Sequence, residues 1–322
     1  MRILMMGNHN IAVRCLEYLI EGPHEVVGVV GIPEDPNERT YYASLTELAR
    51  QQGIPVLTPQ KVNAPDVVGR VEAMKPDLIA VISYRQILRK RIISIPPLGI
   101  INLHGALLPK FRGASPINWV LIKGETQTGV TIHYIDEKVD HGEIIAQRPI
   151  PIALDDTAVT LFDKVTETGF DLFKDVIGYF ERGDVPTSPN RTEEGSYFYR
   201  RKPEDGIIDW SQRAEDIYNM VRALVYPFPG AFTHVQGQKA IVWWGLPVSV
   251  APAGARPGEL FRFRHSDQWA IAAGEGALLL DEVEIEGAGK GKPGAVFSQA
   301  GIEEGSVAEF VFGDSDTPNP PR

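Results

Sequence analysis

The strongest constraint on the fold is a regular alternation of short apolar runs and helical patterns, from residue 1 to about residue 185. The predicted strands are RILMM, EVVGVVG, IPVL, DLIAVIS and GIINLHG, and the predicted helices between them include IAVRCLEYLIEG, SLTELARQQG and DVVGRVEAMK. This rhythm indicates βαβ units and a mostly parallel sheet covered on both faces. The first turn, GNHNIA, lacks the G-x-G-x-x-G spacing, so a dinucleotide cofactor has little support.

The second half of the chain has a different pattern. Residues 184–200 are rich in proline and turn-forming residues, and after them one helix, AEDIYNMVRALV, leads into short strands separated by glycine turns. The pattern is typical of a small all-β barrel. We therefore predict an α/β fold with a Rossmann-like sheet over residues 1–189, a linker at 190–205, a smaller OB-like C-terminal β-barrel at 206–312 and a disordered tail at 313–322.

Composition narrows the possible partners and the compartment. The net charge of −10 argues against a broad basic surface for nucleic acid. The single cysteine, Cys15, rules out a disulfide framework and favours a reducing compartment. No apolar run approaches the roughly 18 residues that a membrane span needs. We expect a cytoplasmic protein that binds neither membrane nor nucleic acid.

The stretch INLHGALLPKFRG places two polar side chains where a buried strand would continue with apolar residues. Asn102 and His104 are two positions apart, so on a strand they share one face while Leu103 lies on the other. In an open α/β sheet, ligands bind at the carboxyl ends of the strands. We therefore predict that Asn102 and His104 converge on a ligand at that edge.

A second polar cluster, HYIDEKVDHGEI, follows about thirty residues later and carries four carboxylates. Histidine can transfer protons near neutral pH, a buried carboxylate can hold its tautomer, and an amide N–H can bind a developing oxyanion. No G-x-S-x-G nucleophile elbow is present, and Cys15 lies in a predicted core helix. The residues thus favour direct acyl transfer to an amine or to water, without a covalent enzyme intermediate.

Other interpretations of these residues compete with the catalytic one. For any single carboxylate of the second cluster, a solvated loop charge is the default, and the same holds for the cations of YRRK. The Trp243–Trp244 pair is expected to pack within the barrel rather than stack on a ligand. A metal site lacks a recognised ligand spacing, so we predict none. Its candidate ligands would be His104, His133, Asp140 and His141.

The segment INLHGALLPKFRGASPINWVLIKGETQTGVTIHYIDEKVDHGEII resembles the signature region of enzymes that use 10-formyltetrahydrofolate as a formyl donor. The resemblance covers nearly the whole chain, including the β-rich C-terminal part. It implies that Asn102, His104 and Asp140 form the catalytic set. It also implies a donor pocket made of Gln86, Ile87, Leu88, Arg112, Asp136, Glu137, Lys138 and Val139. Ala114 stands where a relative has an arginine associated with folate binding.

Three branches of that family are alternatives. Methionyl-tRNA formyltransferases usually carry a basic loop after the second strand, whereas EDPNERTYYASL contains one cation, Arg39. Formyltetrahydrofolate deformylases usually begin with a small ligand-sensing domain, which we do not expect here. The segments PNERTYYAS, NWVLIKGET and RRKPEDGIIDW most resemble the formyltransferase domain of the bifunctional enzyme that modifies UDP-4-amino-4-deoxy-L-arabinose in lipid A remodelling.

The resemblance to this third branch implies a formyltransferase acting on a nucleotide-linked amino sugar, in lipopolysaccharide biosynthesis. We expect Arg200 and Arg201 to bind the phosphates, because arginine can hold phosphate through two parallel hydrogen bonds and these cations fall at the predicted junction of the domains. A homodimer is a further prediction. A folate- or nucleotide-binding module without catalysis is the alternative from a different class.

Overall fold

The structure is a computed structural model that describes residues 1–33, 43–263, 266 and 268–309. The predictions made for Arg39 with its loop, and for the tail at 313–322, lie outside the described residues. The chain forms two compact units. The first comprises Met1–Val120 and Glu125–Arg200, and the second comprises Leu121–Gly124 with the described residues from Arg201 onward.

The first unit is built on a mixed sheet with strand order β3-β2-β1-β4-β5-β7-β8. Pairing is parallel from β3 to β5 and antiparallel from β5 through β7 to β8. The strands of the unit are β1 Arg2–Gly7, β2 Glu25–Val30, β3 Val56–Leu57, β4 Leu78–Ile82, β5 Ile100–His104, β6 Arg112–Gly113, β7 Gln127–Tyr134, β8 Ile144–Pro151 and β9 Tyr197–Phe198.

The apolar runs of the sequence are the buried parallel strands, as predicted. Every residue of β4 (LIAVI) is buried, and so are five of the six residues of β1. Continuous apolar runs suit strands with helices on both faces. The helices are α1 His9–Glu21, α2 Leu45–Gln51, α3 Pro65–Ala73, α4 Lys90–Ile93, α5 Pro116–Ile122, α6 Ala158–Arg182, α7 Ala214–Ala223 and α8 Pro293–Ala300.

The long helix α6 begins and ends at the residues that the sequence indicates. The Thr157 hydroxyl accepts from the backbone N–H of Thr160, and the Thr160 hydroxyl accepts in return from the N–H of Thr157, which forms a capping box. Gly183 then ends the helix with a φ of +69°, in the left-handed region that glycine adopts without strain.

The antiparallel pair β7–β8 was not predicted from the sequence. The segment HYIDEKVDHGEI is a polar cluster in the sequence, whereas in the structure its two ends belong to the facing strands. Thr131 at the centre of β7 is completely buried, so polar residues on this strand do not mark solvent exposure. The mostly parallel character of the predicted sheet is confirmed, with an antiparallel edge added.

Residues 184–200 contribute to the first unit as well as connecting it to the second. Ser188 and Ile144 exchange two backbone hydrogen bonds, of 2.9 and 2.8 Å. Further along, β9 pairs in parallel with β6. The proline-rich segment thus supplies backbone partners to the loops that follow β5 and precede β8.

The second unit contains an antiparallel sheet of strand order β12-β13-β14-β11-β10-β16, with β15 beside β14. Next to the two ends of this order, Glu259 and Val307 form an isolated antiparallel bridge. The OB-like identity stays a prediction. The strands are β10 Ala231–Val235, β11 Gln238–Val248, β12 Leu260–Arg262, β13 Trp269–Ala272, β14 Ala277–Ile285, β15 Gly289–Gly291 and β16 Ala308–Glu309.

Across the described part of the chain, no helix has both the length and the apolar content that a membrane-spanning segment requires.

Candidate active site

The carboxyl end of β5 presents Asn102 and His104 on one face of the sheet. Leu103 points the opposite way, since its side chain lies 3.3 Å from the place where a Cβ on Gly169 of α6 would be. Asn102 is half-buried and His104 is 6% exposed. The shared face follows from the two-residue period of a strand, as expected from the sequence.

One nitrogen of His104 is fixed by the backbone. Its Nε2 lies 2.8 Å from the carbonyl oxygen of Phe111. A carbonyl only accepts, so Nε2 carries the hydrogen and donates it. The second nitrogen, Nδ1, is therefore the one that gains or loses a proton, and it faces Oδ2 of Asp140 at 3.6 Å.

The loop that carries the Phe111 carbonyl is held by contacts with β7 and with the segment around β9. The buried Thr131 hydroxyl donates to the carbonyl of Ala106 at 2.7 Å and accepts the N–H of Leu108 at 3.1 Å. The N–H of Phe111 donates to Oγ of Ser196 at 2.9 Å. The Phe111 ring stacks on Phe198 with centroids 5.2 Å apart. These contacts fix the position of the atom that orients His104.

Asp140 is the carboxylate that the structure brings to His104. Its side chain is 11% exposed, and Oδ2 accepts the backbone N–H of Gly113 at 2.8 Å. Burial acts to raise the pKa of this carboxyl. The charge of His104 is the largest opposing influence, and together with the Gly113 N–H it holds the pKa well below the usual range. Asp140 is therefore ionised at neutral pH.

Two residues outside the predicted set fix the position of Asp140. Gly113 has a φ of +97°, and a Cβ there would meet the carbonyl oxygen of Phe198 at 2.1 Å, so the position demands glycine. The Asn190 amide donates to the carbonyls of Asp140 and Gly142, at 3.1 and 3.2 Å. The sequence alone gave no sign of Asn190, because it lies in the segment interpreted as a linker.

His133 on β7 is a further residue of the cluster that sequence reasoning missed as part of this chemistry. It lies opposite Asn102 in the β5–β7 register, with its Nε2 3.1 Å from Nδ2 of Asn102. The same Nε2 is 3.5 Å from Oδ1 of Asp140. The alternation of β7 could have shown this position, had that strand been recognised.

The predicted donor-pocket residues after β4 have three different environments. The Gln86 amide donates to the carbonyl of Pro59 at 2.9 Å and accepts the N–H of Val62 at 2.8 Å, so it supports a loop. Ile87 is 65% exposed, whereas the Leu88 side chain is 4% exposed and packs in the core. Any polar contact of Leu88 with a ligand must therefore come from its backbone.

The segment before Asp140 is more open. Asp136 accepts from Nδ1 of His141 at 2.5 Å and from the N–H of Lys138 at 2.8 Å. Glu137 and Lys138 are exposed, and Val139 is half-buried. Only the fixed Asp136 and the half-buried Val139 have the restricted positions that a shaped pocket needs.

The three predicted arginines have separate environments. Arg112 places one guanidinium nitrogen 3.5 Å from the carbonyl of Thr192, while its buried Nε has no partner among the described residues. Arg200 is exposed. Arg201 is half-buried and donates to the carbonyl of Asp205 at 2.7 Å.

The cluster of Asn102, His104 and Asp140 combines an amide donor, a titratable imidazole nitrogen and a carboxylate fixed in its ionised form. This set can stabilise a negative oxygen and accept or deliver a proton beside it. It contains no hydroxyl or thiol nucleophile. The arrangement therefore suits transfer of an acyl group between two bound substrates.

Comparisons with known proteins agree with this chemistry. A family model described as formyl transferase matches residues 1–177, and a model of the formyl transferase C-terminal domain matches residues 200–299. Among solved structures, one similar chain is WlaRD, a sugar 3N-formyl transferase solved in the presence of dTDP and 5-N-formyl-THF. It is 20% identical with a TM-score of 0.67, over 87% of this chain and 96% of that one.

Two further structures have similar folds. An N-formyltransferase from Helicobacter canadensis, in complex with folinic acid and dTDP-3-aminofucose, is 20% identical with a TM-score of 0.66, over 87% of this chain and 98% of that one. HypX from Aquifex aeolicus, in complex with tetrahydrofolic acid, is 20% identical with a TM-score of 0.62, over 97% of this chain and 51% of that one. At this identity the structural likeness shows a shared fold, while the match over residues 1–177 covers more than half of the 322 residues. The chain belongs to the formyl transferase family of enzymes.

Proposed function

We propose that this enzyme transfers a formyl group from 10-formyltetrahydrofolate to the amine of a nucleotide-linked amino sugar. The observation that carries the proposal is the convergence of Asn102, His104 and Asp140 at the carboxyl edge of β5, without a protein nucleophile. WlaRD and the Helicobacter canadensis enzyme, whose folds this chain shares, were solved with a formyl-folate and with dTDP or a dTDP-linked amino sugar.

The donor supplies a formyl carbon that the sugar amine attacks. Asn102 donates an N–H to the oxygen that becomes negative during the attack. His104 accepts at Nδ1 the proton that the amine loses, and delivers it to the folate nitrogen as the bond between that nitrogen and the formyl carbon breaks. Asp140 stays ionised and stabilises the imidazolium that forms. Holding donor and acceptor side by side can remove roughly 7–11 kcal/mol of barrier.

The donor pocket is supported by backbone groups without partners. The N–H and C=O of Leu88 and of Val139 make no hydrogen bond within the described residues, although Leu88 is 4% exposed. Buried backbone polar groups are almost always paired, so the unpaired groups of the buried Leu88 fit a polar ring such as a pterin. The half-buried Val139 is a second candidate contact. Arg112, with its unpartnered buried Nε, is a further group for the donor.

The acceptor side rests on the cations of the segment YRRK. Arg200 is exposed and Arg201 is half-buried, and arginine binds phosphate through parallel hydrogen bonds. We assign these two residues to the diphosphate of a sugar nucleotide resembling UDP-4-amino-4-deoxy-L-arabinose. The same proposal includes a role in lipopolysaccharide biosynthesis, a cytoplasmic location and a homodimer. It also includes the OB-like barrel at 206–312 with its domain boundaries.

The test is a screen of UDP-, dTDP- and GDP-linked amino sugars with 10-formyltetrahydrofolate, read by mass spectrometry as the added formyl group. His104→Ala serves as the inactive control in every reaction. We expect one class of amino-sugar nucleotide to be formylated. Efficient formylation of charged initiator tRNA with no sugar product would show that the acceptor is tRNA and not a sugar nucleotide. Release of formate without any acceptor would indicate a deformylase.

A further inference from the structure

The buried His133 is not one of the three residues in the proposed mechanism, yet it contacts two of them. Its side chain is 1% exposed, and Nε2 lies 3.1 Å from Nδ2 of Asn102 and 3.5 Å from Oδ1 of Asp140. A buried ring in contact with two residues of the proposed mechanism is placed to hold them in position. The positions of the hydrogens on this ring determine which nitrogen donates a hydrogen bond and which accepts one.

The tautomer of His133 follows from its second nitrogen. Nδ1 lies 2.8 Å from the carbonyl oxygen of Tyr134. Because a carbonyl oxygen only accepts, Nδ1 must carry a hydrogen and donate it. In the neutral ring, Nε2 then has a lone pair and no hydrogen, and it acts as an acceptor.

An acceptor at Nε2 fixes the orientation of the Asn102 amide. The distance of 3.1 Å is normal for an N–H···N hydrogen bond, whereas 3.5 Å to Asp140 is long for one. One N–H of Asn102 is thus given to His133, and the second N–H on the same nitrogen remains for the developing oxyanion. A hydrogen on Nε2 would set two donors against each other and favour turning the amide oxygen toward the ring.

The two histidines flank the two oxygens of one carboxylate, and each has its far nitrogen bound to a backbone carbonyl. We infer that they divide the work: His133 stays neutral and positions Asn102 as the oxyanion donor, while His104 carries the proton. His133 is thus a positioning residue that acts through Asn102. This inference rests on the proposed function for its catalytic part, but the tautomer of His133 can be observed without any substrate.

The first experiment is long-range ¹H–¹⁵N NMR on the full-length ¹⁵N-labelled protein, with His133→Gln used to assign the ring. We expect the His133 ring to carry hydrogen at Nδ1 and none at Nε2 at neutral pH. A ring protonated at Nε2, or at both nitrogens, would overturn the inference. This result decides the tautomer even if no amino-sugar nucleotide proves to be a substrate, in which case the proposed function alone fails.

The second experiment measures kinetics with the sugar nucleotide found in the screen. His133→Leu removes the acceptor and should lower kcat about 100-fold, the loss typical of misplaced reacting groups, with KM for both substrates nearly unchanged. His133→Gln retains a carbonyl acceptor and should recover part of the loss. His234→Leu, at a half-buried strand histidine of the second unit, is the control.

A double-mutant cycle separates positioning from general support of the fold. In an Asn102→Ala background, His133→Leu should cost less than about threefold in kcat, because the amide that it positions is gone. Losses that multiply in the double variant, or a His133→Gln variant as slow as His133→Leu, would show that His133 does not act through Asn102.

Discussion

Two groups of polar residues carry the proposed reaction, and they differ in how firmly the protein fixes them. The proposed catalytic centre, formed by Asn102, His104, His133 and Asp140, is buried or half-buried and each member has a partner at a defined distance. The cationic segment, Arg200–Lys202, is more exposed, although Arg201 also has a partner, the carbonyl of Asp205 at 2.7 Å. Groups that act in the transition state need fixed geometry, whereas phosphate binding tolerates mobile charges.

The largest effect should come from His104→Ala, which removes the only group of the centre proposed to transfer the proton. We expect kcat to fall roughly 10²–10⁴-fold, the usual contribution of general acid–base catalysis. The melting temperature should change little compared with this loss. His234→Ala is the matched control in the second unit. Turnover near the wild-type value would contradict the proposed mechanism, because His104 would then not be needed for proton transfer.

Gly113→Ala tests whether the centre depends on backbone geometry. The added Cβ would meet the Phe198 carbonyl oxygen at 2.1 Å and displace the N–H that binds Asp140. We expect kcat to fall about 100-fold, the order of loss for a misplaced reacting group.

Gly53→Ala is the control for Gly113→Ala, since Gly53 also has a positive φ, of +69°, but its Cβ would lie in open space. It should cost about 1 kcal/mol of stability through backbone strain and leave kcat unchanged. Equal losses of activity in both variants would mean that strain alone, and not displacement of the Asp140 partner, determines the result.

The residues that we propose for catalysis stand out in the sequence, whereas the residues that hold them in place do not. Asn102 and His104 stand out because polar residues at the end of an apolar strand are unusual. Gly113 and Asn190 do not, because their importance comes from partners 85 and 50 positions away, Phe198 and Asp140. His133 was missed since an antiparallel strand with a buried threonine and histidine resembles a polar loop.

A similar limit applies to the fold. Continuous apolar runs identified the parallel strands, because burial on both faces leaves little freedom in composition. The short β6–β9 pair and the helix α8 were missed, since two-residue strands and an eight-residue helix of low charge leave no periodic pattern. The longer β7–β8 edge was missed because buried polar residues such as Thr131 and His133 resemble those of a loop.

The cationic segment should give a smaller effect of a different kind. Replacing Arg200 and Arg201 by alanine should raise KM for the sugar nucleotide roughly tenfold, the order expected for lost charged hydrogen bonds, and leave kcat and folate binding nearly unchanged. The difference from wild type should shrink as salt is added. The double variant Arg213→Ala with Arg256→Ala removes the same charge elsewhere. It should neither raise KM for the sugar nucleotide nor show a salt-dependent difference from wild type. A fall in kcat would place the segment with the catalytic centre.

The smallest expected effect is on stability in acid. Because the pKa of Asp140 is depressed in the folded protein, its ionisation stabilises the fold above the ordinary aspartate pKa of about 4 and this contribution is lost as the pH falls below that value. The Asp140→Asn variant has no carboxyl to ionise at this position, so it has no such contribution to lose. The wild type should therefore lose more of its melting temperature than Asp140→Asn between about pH 6 and pH 3. A larger loss in the variant would show that the carboxyl is not ionised in the fold.

The pairing of β6 with β9 has a consequence for synthesis of the chain. Phe111 and its partner Ser196 are 85 positions apart, and Phe198, which borders Gly113, follows later still. At about 5–20 residues per second, the ribosome needs roughly 4–17 s to make that interval. The nascent chain thus carries Asn102 and His104 for seconds before the strand that completes their surroundings exists. The surroundings of these two residues can therefore be complete only after residues 196–198 have left the ribosome.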